Sequence, residues 1–198
     1  KEGIFKDKTF TPDQMYELRI AAYMHDIGKV TSPVEIVEKA KKLQTIFDRI
    51  HYVRLRMAYI SQKVQLEGQE AKIKLLQNGS DPEQLKALEK TTQDKLEELT
   101  EIREFINKCN EPGEFLEDET LDRLKELSQK TYIDDAGEQQ PLITEDELVN
   151  LSIRRGSITE KERGKMQDHA AVTLRMLKQI PFTKKLKNIP DFAGAHHE

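Results

Sequence analysis

Residues 21–29, Ala-Ala-Tyr-Met-His-Asp-Ile-Gly-Lys, set an imidazole, a carboxylate and an ammonium within a few positions of one another. His25 and Asp26, side by side, can offer two ligands to a metal ion, and transition metals accept imidazole nitrogen and carboxylate oxygen together. Gly28 lets the backbone turn without a Cβ clash. Lys29 can meet a phosphate as a point charge. Three further histidines, His169, His196 and His197, also fall on or beside the end of an apolar-faced segment. His51, with Tyr52 next to it and Arg49 and Arg54 nearby, reads as an ordinary helix residue. One Asp and up to four His can serve two metals if Asp26 bridges them. Two metals a few Å apart can clamp the attacking and leaving oxygens of a phosphoester hydrolysis. Spacing alone leaves four unrelated core or surface histidines as the alternative.

The elements that must position these groups are mostly helices. Thr11 suits an N-cap, Pro12 the first helical position and Gln14 the third, and Phe10 and Met15 can staple that start. Met15, Leu18, Ala22 and His25 follow at helical spacing, which predicts a core-facing stripe with His25 at its end and Gly28 as the stop. From Val34 to about Gln77, Ile36, Ala40, Leu43, Phe47, Ile50, Met57, Val64, Ala71 and Leu75 recur at spacings of three and four, with gaps at Arg54, Ser61 and Gly68. Asn78-Gly79-Ser80-Asp81-Pro82 is a turn, with Asp81 as cap of a second helix running to about Cys109 through Leu85, Leu88, Leu99, Ile102 and Ile106. Two long helices and a tight turn predict an antiparallel hairpin arm. After Glu111-Pro112-Gly113, a shorter helix carries Phe115, Leu121, Leu124 and Leu127. Residues 131–143 read as irregular, with a solvated turn at Asp134-Asp135-Ala136-Gly137, and Glu145–Ser152 as a short helix. Thr159-Glu160-Lys161-Glu162 is a capping box that predicts one helix with Met166, His169, Ala170, Thr173, Leu177 and Ile180 along its apolar face, stopped by Pro181.

Composition narrows the function classes. The chain has 198 residues, 36% hydrophobic and 34% charged, a balance that suits long solvated helices. Its net charge of −4, from 32 basic and 36 acidic residues, argues against a general binder of nucleic-acid polymers. The single cysteine, Cys109, excludes an internal disulfide, fits a reducing compartment and reads as a small core residue. No apolar run is long enough to span a membrane, and the charged first residues show no signal peptide, so a cytoplasmic setting is expected.

Taken in order, three segments resemble the successive motifs of the HD-GYP family, a branch of the HD-domain metal phosphohydrolases. They are His25-Asp26-Ile27-Gly28-Lys29, then Gly156-Ser157-Ile158-Thr159-Glu160-Lys161-Glu162-Arg163 with His169 downstream, then His196-His197-Glu198. The resemblance covers residues 11–33 and 144–198. It implies an all-α HD-domain helical bundle, residues 1–34 and 144–198, with a coiled-coil-like helical hairpin inserted at 35–143. It also implies two or three divalent metal ions, iron or manganese, and hydrolysis of cyclic di-GMP by water activated at those metals. By analogy His25, His169, His196 and His197 ligate metal, Asp26 bridges, and Lys29 neutralises phosphate charge or assists the leaving oxygen. The expected partners are the cyclic dinucleotide and, through the arm, a second copy of the chain. The sequence departs from the family pattern at both ends. Family members carry a histidine ligand upstream of the HD motif, and residues 1–24 contain none. The downstream aspartate ligand and the Gly-Tyr-Pro motif would fall after Glu198, so the chain is expected to be an internal fragment holding part of the site. Two other readings stay open: an HD-domain phosphohydrolase for another nucleotide, and an inactive signalling module whose arm mediates dimerisation.

Overall fold

A computed structural model of the chain describes residues 9–79, 81–113 and 115–195. Residues 1–8, Ser80 of the turn, and the His196-His197-Glu198 motif lie outside the described residues. The elements run α1 (Pro12–Met24), a 3-10 helix (Ile27–Thr31), α2 (Val34–Val37), α3 (Ile50–Gln77), α4 (Pro82–Asn110) and α5 (Asp118–Gln129). They continue with β1 (Thr131–Ile133), β2 (Gln139–Pro141), α6 (Glu145–Leu151), α7 (Glu160–Gln167), α8 (His169–Leu177), a 3-10 turn (Lys184–Leu186) and α9 (Ile189–Gly194). The all-α expectation holds, with one small antiparallel hairpin, Tyr132 opposite Gln140, where the sequence reads as irregular. The chain divides into two compact units, Lys1–Glu38 with Glu160–Glu198, and Lys39–Thr159.

In the first unit, α1 begins at the expected capping box: the Thr11 hydroxyl accepts from Gln14 N, and the Gln14 side chain accepts from Thr11 N. Its buried face is not the expected one. Met15 and Ala22 are exposed, and Glu17 and Ala21 are buried. The reason is α9, which packs on the Ala21 side. Glu17 accepts from the backbone N of Asn188 at 2.7 Å and from its Nδ2 at 3.1 Å, so a carboxylate caps the start of α9 from inside. Ala21, Leu177, Ile189 and Ala193 form the core, with Ile20, Met24, Phe182 and Leu186 around them. The single helix expected from Thr159 to Ile180 is broken at Asp168. There His169 Nδ1 donates to the Met166 carbonyl, which an unbroken helix would offer to the Ala170 N–H.

In the second unit, α3 and α4 form the expected hairpin. The Asp81 side chain accepts from Glu83 N to cap α4, and Pro82 fills its first position. The long first helix starts at Ile50, however, not at Val34, so Ala40, Leu43 and Phe47 are not on its seam. Asn110, buried at the end of α4, holds the preceding loop in place of helix. Its Oδ1 accepts from Leu43 N at 2.8 Å, its carbonyl accepts from Lys42 N, and its Nδ2 donates to Asp48. Val53, Met57, Ile102, Ile106, Cys109, Leu124, Ile143 and Leu151 make the core. Phe115, expected on α5, lies before that helix and is exposed. Halfway along the arm the helices draw close, and a Cβ on Gly68 would lie 2.8 Å from the Thr92 side chain.

Glu147 closes the capping box of α6 on Thr144 and also takes a two-pronged hydrogen bond from Arg56 of α3, at 2.9 and 3.0 Å. Burial pushes the Glu147 carboxyl up, but the Arg56 and Thr144 hydrogen bonds outweigh it and hold the group below its ordinary 4.5. A lowered folded pKa adds stability that is complete above 4.5 and is lost as pH falls through the folded value. Glu147→Gln is therefore expected to cost about 2–3 kcal/mol at neutral pH. It should also flatten the fall in stability that the wild type shows below pH 4.5, in urea unfolding followed across pH. An unchanged midpoint at pH 7 would contradict this role.

Candidate metal centre

Three segments of the first unit meet where α1 gives way to the 3-10 helix. His25 is the C-cap residue of α1, Asp26 precedes the 3-10 helix, Lys29 lies within it, and His169 opens α8. Gly28 makes this meeting close. Its N–H donates to the Thr173 hydroxyl at 2.9 Å, and its carbonyl accepts from Thr31 Oγ1. A Cβ on Gly28 would lie 2.7 Å from Thr173 N and would overlap the His169 carbonyl. Thr173 is fully buried, and the 3-10 helix and α8 pack backbone to backbone around it. Sequence reasoning reads Thr173 only as a position on an apolar helix face. The available signal is its place one turn after His169, on the same side of α8.

The Asp26 carboxylate divides between the two histidines. Its Oδ2 faces His25 Nε2 at 3.1 Å and its Oδ1 faces His169 Nε2 at 3.3 Å. Both rings are fixed in the same sense, because His25 Nδ1 donates to the Ala22 carbonyl at 2.7 Å and His169 Nδ1 to the Met166 carbonyl. A carbonyl only accepts, so each Nδ1 carries a proton and, on a neutral ring, each Nε2 turns a lone pair toward the carboxylate. Backbone anchoring of the second ring nitrogen is the usual support of a metal-bound histidine. Two lone-pair atoms facing each other are reconciled by a proton or by a cation. Ligands about 2.0–2.1 Å from one ion stand about 3.0–3.4 Å from each other, and both measured separations fall in that interval.

Imidazole nitrogen and carboxylate oxygen are donor types that divalent transition metals accept. Among the described residues no group of three or more His, Cys, Asp or Glu side chains is placed to hold a metal ion. Lys29 Nζ donates to Asp26 Oδ2 at 2.7 Å. That hydrogen bond is the main reason the Asp26 carboxyl lies below its ordinary value; burial opposes it, and the neighbouring His25, Lys29 and His169 charges reinforce it. His169 is buried, whereas His25, expected on a core face, is partly exposed together with Asp26 and Lys29. His51 stands exposed on the first turn of α3, in the other unit.

A protein-family model described as HD domain matches residues 143–198. The matched stretch includes His169 and the His196-His197 motif and excludes His25 and Asp26. It supports an HD-domain phosphohydrolase, a class of hydrolase that binds divalent metals, and it speaks for the broad class, not for the HD-GYP branch. No curated protein and no solved structure matches the chain.

If the Gly28 contact sets the site, a side chain there must push α8 away. Gly28→Ala is expected to destabilise the first unit by about 3 kcal/mol. Thr173→Val, nearly isosteric, leaves the Gly28 N–H buried without its acceptor and should cost about 2 kcal/mol. Chemical denaturation of both variants checks this, and wild-type midpoints would show that the approach is not required.

Proposed function

We propose that the chain is part of an HD-GYP-type phosphodiesterase that hydrolyses cyclic di-GMP. In this reading His25, His169, His196 and His197 are metal ligands and Asp26 bridges, with iron or manganese as the metals. The observation that carries the reading is the Asp26 carboxylate, which gives one oxygen to each of two imidazoles whose Nδ1 atoms are tied to backbone carbonyls. The order of the three motifs and the HD-domain match over 143–198 support it. Divalent metals bound there supply Lewis acidity and lower the pKa of water.

The chain's own residues have separate tasks. The Ala22 and Met166 carbonyls keep the protons of His25 and His169 on Nδ1, so that Nε2 is presented to the site. Asp26, held ionised by Lys29, carries the negative charge that cations require. Lys29 has half its side chain in solvent and holds its ammonium at the rim. A phosphodiester arriving there can take over that ammonium from Asp26, which balances phosphate charge or steadies the departing oxygen. Thr173 and Gly28 hold the two ligand-bearing segments together. The same reading puts the enzyme in the cytoplasm and gives the arm a second copy of the chain as partner. The described residues contain no helix long and apolar enough to cross a membrane.

Asp26→Ala is expected to lower bound iron or manganese by at least half and to abolish hydrolysis, measured by metal analysis and by chromatography of cyclic di-GMP digests with the full-length protein. Lys29→Ala should retain metal and lose about 10–100-fold in turnover. Unchanged turnover in Asp26→Ala would refute the bridging role, and a metal-loaded, folded protein inert toward cyclic di-GMP would refute the substrate.

A further inference from the structure

Lys42 is a lysine that the second unit hides. It is 2% exposed. Its backbone N donates to the Asn110 carbonyl, which fixes it at the end of α4, near Cys109. Among the described residues its Nζ meets one acceptor, the Leu151 carbonyl at 3.3 Å, and no carboxylate within ion-pair distance. An ammonium carries three donors and a full charge, so one long hydrogen bond serves it poorly. A buried lysine without a counter-ion gives up its proton more readily than an exposed one. Burial accordingly lowers the Lys42 pKa, and the neighbouring Cys109 opposes that fall. Burial also pushes the Cys109 thiol up, so near neutral pH it offers Lys42 no negative charge.

Lys42 and Cys109 line a cavity of about 260 Å³ that lies wholly within the second unit. Phe105 and Leu116 give it apolar walls, and Leu116 is held there by its N–H, which donates to the Arg154 carbonyl at 2.9 Å. Of the acids that line it, Glu111 is engaged by Lys41 and Glu117 is exposed to solvent. The volume falls just below the range of drug-sized sites, so an occupant is small. We propose that Lys42 is a nucleophilic amine that captures small, mainly apolar aldehydes or ketones in this cavity as an imine. The proposal does not rest on the hydrolase reading. A neutral Nζ spends one hydrogen on the Leu151 carbonyl and keeps its lone pair for an incoming carbonyl carbon. That lone pair forms the C–N bond. Both amine hydrogens leave with the carbonyl oxygen as water, the hydrogen bond to Leu151 is given up, and a C=N bond remains. No oxidant or reductant is consumed. Desolvation in an apolar pocket is a recognised way to activate a lysine for this step. An exposed lysine lacks that help and is neutral in only about one molecule in a few thousand at pH 7.

Benzaldehyde is the probe, with cyanoborohydride to reduce the imine to a stable benzylamine and peptide mass mapping to locate it. On the whole chain at pH 7, Lys42 should be benzylated at least about tenfold faster than Lys108, which lines the same cavity but is exposed. Thr120→Phe, which narrows the cavity, should slow Lys42 severalfold and leave Lys108 unchanged, with the helical circular dichroism kept. Lys42 left unmodified, or modified no faster than Lys108, overturns the proposal. That comparison is made on the wild type and stands whether or not the variant folds. Fast modification of Lys42 that a folded Thr120→Phe does not slow overturns the cavity as the place of capture.

Discussion

The backbone of Gly28 lies directly against α8, with the Thr173 hydroxyl accepting its N–H. The convergence of His169 on Asp26 depends on that approach. It brings Asp26, two residues before Gly28, within reach of His169, whose own carbonyl is one of the atoms a Cβ would strike. The hydrogen bond has a second effect. A buried N–H must find an acceptor, and a threonine side chain supplies one without adding charge beside a group of ionisable residues. Packing, hydrogen bonding and charge placement are therefore settled by one glycine and one threonine, neither of which touches the carboxylate itself.

The second unit depends on polar side chains in the same way. Asn110 satisfies three polar groups of the loop that runs into α3, and Glu147 joins α6 to α3 while capping its own helix. In each case an apolar residue of similar size would fill the space and leave donors unpaired. Buried polar groups with all their partners present select one arrangement among several that hydrophobic burial alone would allow. The arm beyond them is simpler. It is a two-helix seam, drawn in at Gly68 and Thr92.

What is legible in the sequence is what local chemistry decides. The Thr11 and Asp81 caps, the breaks at Pro33, Asn78 and Pro112, and the hairpin between two long helices are all stated by residues within a few positions of one another. The α6 capping box of Thr144 and Glu147 is just as local, although that stretch reads in the sequence only as a short helix. The buried face of α1 is not legible, because Glu17 is buried only through Asn188, 171 residues away. The start of α3 is hidden for the same reason: Leu43 and Phe47 keep a helical spacing, but the Asn110 side chain draws that segment into a loop. The break at Asp168 comes from the ring of His169 itself. At the candidate metal centre, the pairing of His25 with Asp26 is adjacent in sequence and easily seen, whereas the convergence of His169 on the same carboxylate is a long-range event that motif order suggested and no periodicity could supply.

One small contact, the Ser157 hydroxyl donating to the Lys39 carbonyl at 2.6 Å, closes the second unit on itself. It joins the place where the chain enters that unit to the place where it leaves. Gly28 and Thr173 are 145 residues apart along the chain, and closing so long a loop in one step is entropically slow. Once residues 39 and 157 are held together, the remaining path between Gly28 and Thr173 shortens to roughly thirty residues, and the closure cost falls by about 1.5 kcal/mol. The helical hairpin can form early, before the ends of the discontinuous unit close on each other. In kinetic terms the inserted region shortens the search that the candidate site's two halves must make for each other.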